Sequence, residues 1–206
     1  MSSQCNATWN ELHSVLTTMP LHLKASGQAG IEGNPIFDPV GTNEYIKSAL
    51  VKLGWSKILI PAEYDFLGKD IDFGKTGAIV EVQFSHYAFL PNNTLRSELF
   101  FKAGTHFVGQ PTKAVVIVTK SQMFPASNSS LYYEQAVNQL TALAQNKVFD
   151  VPIRLVGLFE AKNENIPVKW TVYEKPTSRK IVAQGYRQCL INSGLSARRR
   201  CVLQLR

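Results

Sequence analysis

Cysteine is scarce in this 206-residue chain, and the three present, Cys5, Cys189 and Cys201, are an odd number without metal-ligand spacing. Neither a disulfide framework nor a zinc site is expected from them. No apolar run reaches the roughly 18 residues that a bilayer span needs. The N-terminus MSSQCNATWNEL lacks the basic start and apolar stretch of a signal peptide, so the expectation is a cytoplasmic protein with no membrane partner. Internal repeats and low-complexity segments are also missing. Acid is absent from one end: no Asp or Glu follows Glu174, while Lys175, Arg179, Lys180, Arg187, Arg198, Arg199, Arg200 and Arg206 all do. The net charge of +7 is therefore concentrated in the last segment, where a polyanion would gain by releasing its condensed counterions.

What is present describes a globular chain. At 23.0 kDa and 45% hydrophobic residues, one domain spanning 1–206 with a real core is expected. Trp9, Leu12 and Leu16 carry helical spacing through 6–19. A second helix is predicted over 43–53, with Thr42 as its cap and Gly54 as its stop. Strands are predicted over 57–60, 69–73 and 78–84, the last two joined by a turn at 74–77 as a hairpin. Thr94 opens a predicted helix to about 103. AVVIVT at 114–119 is continuously apolar and β-branched, as a strand covered on both faces would be, and is expected in the middle of the sheet. The regular spacing of Tyr133, Ala136, Val137, Leu140, Leu143 and Ala144 predicts a helix over 129–145, followed by a strand over 153–159. Alternating strands and helices with one antiparallel hairpin give an α/β fold, a central mixed β-sheet flanked by helices. Beyond residue 175 the pattern gives no element.

Carboxylates crowd one short span, Asp65, Asp70 and Asp72, and Glu81 follows in IVEVQF. Residues two apart on a strand face one side, so Glu81 and Gln83 project together and Val82 points the other way. With Asp72 on the partner strand of the hairpin, two carboxylates and the Val82 carbonyl converge. That donor set suits a hard cation such as Mg2+. A metal there neutralises a phosphate and acidifies water, the requirement of phosphodiester hydrolysis. Gln83 can orient a water but can neither take its proton nor carry charge. Exposed carboxylates on a strand are common, so the spacing alone leaves an ordinary surface reading open.

These residues and the blocks around them, PLHLKAS, IFDPVGTN, DFLGKDIDFGK, VEVQFS, MFPASNSSLYYEQA and FDVPIRLVGL, resemble type II restriction endonucleases of the PD-(D/E)XK superfamily over most of 19–159. The resemblance implies a restriction-endonuclease-like fold, a homodimer acting on double-stranded DNA, dependence on Mg2+, and no nucleotide cofactor. It makes Asp72 and Glu81 the metal-binding carboxylates. Gln83 matches a branch that carries glutamine where most of the superfamily has lysine. That branch implies cleavage of a palindromic, GATC-centred site with 5′-phosphates and four-base 5′ overhangs.

Base contacts carry over as Ser85, His86, Asn128 and Ser129, with Ser178 and Arg179 in the 175–180 loop as further DNA contacts. Asparagine can pair bidentately with adenine, although Asn128 and Ser129 are also ordinary helix caps. The sequence departs from the branch at His86, where an asparagine is expected, and at Lys57, where a polar or acidic residue is expected near the metal. After about Tyr173 it matches poorly. The alternatives to a restriction enzyme are a sequence-specific DNA-binding protein or a repair nickase of the same fold.

Overall fold

The chain, seen in a computed structural model, is described over residues 3–127, 130–194 and 200–206. It opens with helix α1 (Ser3–Thr18), strands β1 (Leu21–Ala25) and β2 (Pro35–Phe37), and helix α2 (Pro39–Lys52). Next come β3 (Ser56–Leu59), a 3-10 turn (Ala62–Leu67), β4 (Asp70–Lys75), β5 (Ala78–Val82) and α3 (Phe89–Lys102). The short pair β6 (His106–Phe107) and β7 (Gln110–Pro111) leads to β8 (Ala114–Lys120), α4 (Tyr133–Gln145) and β9 (Ile153–Leu158). The chain ends in β10 (Asn165–Tyr173), β11 (Ile181–Asn192) and β12 (Val202–Leu205).

Two five-stranded sheets result. The first runs β3-β4-β5-β8-β9. Its β3, β4 and β5 pair antiparallel, while β5, β8 and β9 pair parallel, so it is the expected mixed sheet. β5 is its central strand; β8, expected at the middle, sits one place along, hydrogen-bonded on both sides. The second sheet, β12-β11-β10-β1-β2, was not legible in the sequence pattern.

Alternation along the first sheet divides the core. Val80, Val116 and Val118 join Leu12 and Leu16 of α1, Ile46 and Leu50 of α2, and Leu23, Val168 and Ile191 of the second sheet. Ile79, Val115 and Ile117 face the other way, onto Leu90 and Phe100 of α3 and Ala136 and Leu140 of α4. Strand residues one apart thus feed two cores. Glu81 and Gln83 share the parity of Ile79 and therefore lie under α3.

Helix starts differ from expectation for local reasons. Asp38, not Thr42, caps α2: its Oδ1 accepts from the Val40 N–H at 3.1 Å, with Pro39 in the first turn. Thr42 instead sits inside the helix, its hydroxyl donating to the Asp38 carbonyl. α3 begins five residues before Thr94, because Pro91 falls in the first turn, where a missing N–H costs nothing. α4 begins at Tyr133 rather than 129.

The β4–β5 hairpin turns on two residues only, Thr76 (φ 48) and Gly77 (φ 85). Positive φ at both central positions is the type I′ geometry that matches strand twist. A Cβ on Gly77 would also stand 2.6 Å from the Pro111 carbonyl. Gly74, expected in the turn, is instead a strand residue paired with Ile79.

Candidate active site

The tight hairpin fixes the site's register. Lys75 pairs with Ala78, Gly74 with Ile79 and Phe73 with Val80, so Asp72 and Glu81 are equally far from the turn on opposite strands. Beyond Phe73 and Val80 the carboxylate takes over from the backbone ladder, with the Val82 N–H donating to Asp72 Oδ2 at 2.8 Å. A strand residue's N–H and C=O point to the same neighbour. The Val82 carbonyl therefore also faces β4 and Asp72.

Both carboxylates are held where charge is expensive. Glu81 is 3% exposed, and burial pushes its pKa up to about 7, with the Asp72 charge adding to the rise and Arg96 opposing it. Burial likewise raises Asp72, while its hydrogen bond from Val82 pulls the other way. Lys57, the departure on β3, forms an ion pair with Asp70 at 2.6 Å, and its charge favours the ionised form of Asp72. It stands at the edge of the carboxylate cluster as a counter-charge.

Two residues of α3 hold β5 and its continuation from above. Arg96 Nη2 donates to Glu81 Oε1 at 2.5 Å and Nη1 donates to the Leu67 carbonyl at 3.3 Å. Its path crosses Gly68 (φ 119), where a Cβ would lie 2.7 Å from Nη1. Asn93 Nδ2 donates to Gln83 Oε1 at 2.9 Å. Residues three apart on a helix and two apart on a strand both share a face. One helix face thus grips Glu81 and Gln83 together. Neither Arg96 nor Asn93 was singled out in the sequence; their three-residue spacing, facing the Glu81–Gln83 pair, was the available signal.

Gln83 also reaches forward. Its Nε2 donates to Ser85 Oγ at 3.4 Å and to the His86 carbonyl at 3.3 Å, both long contacts. Ser85 and His86 are exposed, and His86 stacks on Tyr87 at 5.0 Å. Ser178 and Arg179 lie elsewhere, in the turn between β10 and β11 of the second sheet. There the Ser178 hydroxyl accepts from the Lys180 N–H, and Arg179 lines a groove of about 400 Å³ with His22, Lys169, Tyr173 and Tyr186. Asn128, Ser129, Arg198 and Arg199 lie outside the described residues.

Among the described residues no three of His, Cys, Asp or Glu converge as a metal cluster. The donor set is two carboxylates and a backbone carbonyl. It fits Mg2+, which takes one or two carboxylates and keeps several waters. Two desolvated carboxylates in each other's field, with raised proton affinity, are what a bound cation would relieve.

Comparison with known proteins gives the family and the fold. Residues 1–158 match the family described as restriction endonuclease BglII/BglIII. The chain is 57% identical over 175 residues to the type II restriction enzyme BglII of Bacillus subtilis, covering 84% of this chain and 78% of that one. Its fold superposes on a crystal structure of restriction endonuclease BglII complexed with a DNA 16-mer, with TM-score 0.95 and 48% identity over 100% of this chain and 94% of the other. Against free BglII the TM-score is 0.76, at 48% identity over 98% and 92%. The family match stops at residue 158, yet the superposition covers the second sheet's later strands too. By sequence and by fold, then, the chain belongs to the BglII/BglIII family of type II restriction endonucleases.

Proposed function

We propose that the chain cuts both strands of a palindromic, GATC-centred DNA site in a Mg2+-dependent reaction, leaving 5′-phosphates and four-base 5′ overhangs. The supporting observation is the pair of buried carboxylates, Asp72 and Glu81, set opposite each other with the Val82 carbonyl beside them. Asp72, Glu81 and Val82 hold the metal, which when bound supplies charge neutralisation at the phosphate and acidifies water. Arg96 keeps the Glu81 carboxylate aimed before metal arrives. Gln83, fixed by Asn93, orients the attacking water through its amide.

Ser85 and His86 read base edges just beyond the catalytic strand, with Asn128 and Ser129 completing the reading surface. The contacts of Gln83 Nε2 with Ser85 Oγ and the His86 carbonyl support a direct coupling of recognition to the reacting groups. Ser178, Arg179 and the basic end engage the DNA from the second sheet. The active form is a homodimer, since a palindrome presents two half-sites related by a twofold axis. α3 leaves Phe89 and Leu95 more than half exposed, and α4 covers few of its apolar residues within the chain, so these helices form the interface. Such an enzyme acts on DNA in the cytoplasm.

The test is digestion of a plasmid bearing GATC-centred six-base-pair sites. Linear product with Mg2+ and none with EDTA supports the reading; specific binding without cutting in Mg2+ favours the DNA-binding alternative.

A further inference from the structure

Lys120 ends β8 with its side chain 1% exposed, an unusual place for a lysine. Among the described residues no carboxylate pairs with it. Its Nζ donates to the Phe84 carbonyl at 2.9 Å and to the Leu131 carbonyl at 3.3 Å. The ammonium lies 4.9 Å from the Tyr132 ring centroid, 5.5 Å from Phe37 and 5.8 Å from Phe84. Burial and the nearby Arg200 charge lower its pKa to about 7. A methionine would fill the same space without that cost, so the amine must answer a polar need.

That need is at the ends of the sheet. Phe84 lies two residues past the end of β5, and Leu131 two residues before α4 opens, so neither carbonyl belongs to a regular ladder. The two segments are also tied directly, the Leu131 N–H donating to the Ser85 carbonyl at 2.7 Å. Thr119 Oγ1 adds a bond to the Leu131 carbonyl at 3.2 Å, and residues 120 and 132 form a parallel bridge. The Nζ therefore adds a second tie, beside the Leu131–Ser85 bond, between the segment carrying Ser85 and the start of α4.

We propose that Lys120 is a positioning residue for base recognition, a buried cross-link that fixes Ser85 relative to the segment entering α4. The proposal rests on the reading of Ser85, and of Asn128 and Ser129 ahead of α4 in the sequence, as base contacts. A residue that only stabilised the fold would change cleavage of all DNAs alike. A spacer between two reading segments changes the ratio between correct and incorrect sites.

The experiment compares wild type, Lys120→Met and Lys120→Gln on plasmids carrying the GATC-centred site and on versions with one base pair changed. Lys120→Met is expected to lower the ratio of cleavage rates about tenfold, the size of one weakened base contact. Lys120→Gln, which keeps N–H donors but is shorter, falls between, and carries the test alone should Lys120→Met fail to fold. An unchanged ratio in the folded variants overturns the proposal. If wild type cuts none of these DNAs, the functional reading fails, and the cross-link is tested by hydrogen exchange of the Leu131 amide in free protein. Exchange about tenfold faster in Lys120→Gln supports it, and unchanged exchange overturns it.

Discussion

Arg96 and Glu81 form an ion pair at 2.5 Å with both side chains less than a tenth exposed. Burying two charges costs several kcal/mol each, and the pair repays this only while both members stay. Arg96→Met should therefore destabilise the protein by about 3–5 kcal/mol, the cost of an orphaned buried charge. Arg96→Met combined with Glu81→Gln should recover part of that loss, since no orphan remains. Urea unfolding of wild type and both variants checks this, and a loss in Arg96→Met below about 1 kcal/mol contradicts a buried, coupled pair.

The same pair separates two replacements of Glu81. Glu81→Ala and Glu81→Gln should both abolish Mg2+-dependent cleavage while specific DNA binding survives. Glu81→Gln keeps an acceptor for Arg96 Nη2, whereas Glu81→Ala strands the guanidinium and melts earlier. Gel shifts in Ca2+, plasmid cleavage in Mg2+ and thermal melts check the three parts. Near-normal cleavage by either variant removes Glu81 from the metal site.

Asn93 offers a milder test. It donates to Gln83 Oε1 in a buried setting, and Asn93→Ala leaves that acceptor unsatisfied at a cost of about 1–3 kcal/mol. Cleavage should slow with little change in affinity, because Gln83 is displaced while the phosphate contacts are not. Single-turnover rates and binding curves measure the split; equal loss in both contradicts it.

Lys120 gives stability a pH dependence. Its pKa is about 7 folded and ordinarily 10.5, so between those values the unfolded chain holds more protons. The cost of burying the ammonium is complete below pH 7 and is relieved as pH rises towards 10.5. Wild type should gain on Lys120→Met as pH rises from 7 to 9, with a slope of at most about 1.4 kcal/mol per pH unit. Arg200 and Tyr132 are present in both proteins and drop out of the comparison. A difference that does not vary with pH contradicts a buried, charged Lys120.

How far the sequence reached depends on what each signal encodes. Asp72, Glu81 and Gln83 stood out through crowded carboxylates, strand alternation and the family resemblance, whereas the two-residue turn that sets their register was read as 74–77. The strand at 114–120 announced itself through an unbroken apolar run. Arg96 and Asn93 hid in α3, where polar residues three apart read as a solvated helix face until the strand beneath is known. The second sheet hid for another reason. The first eight side chains of β11 are exposed, so no period of two marks Ile181–Asn192 as a strand. β1 is only five residues long, and its sheet forms from strands more than 140 positions apart, as Leu21 pairs with Val168.

The most direct test of the whole account is sequencing the ends of DNA digested by purified protein in Mg2+. One palindromic site with GATC at its centre, four-base 5′ overhangs, and no cutting once Asp72 is replaced by asparagine are the expected result. Ends scattered without a common site, or cutting that survives Asp72→Asn, would contradict it.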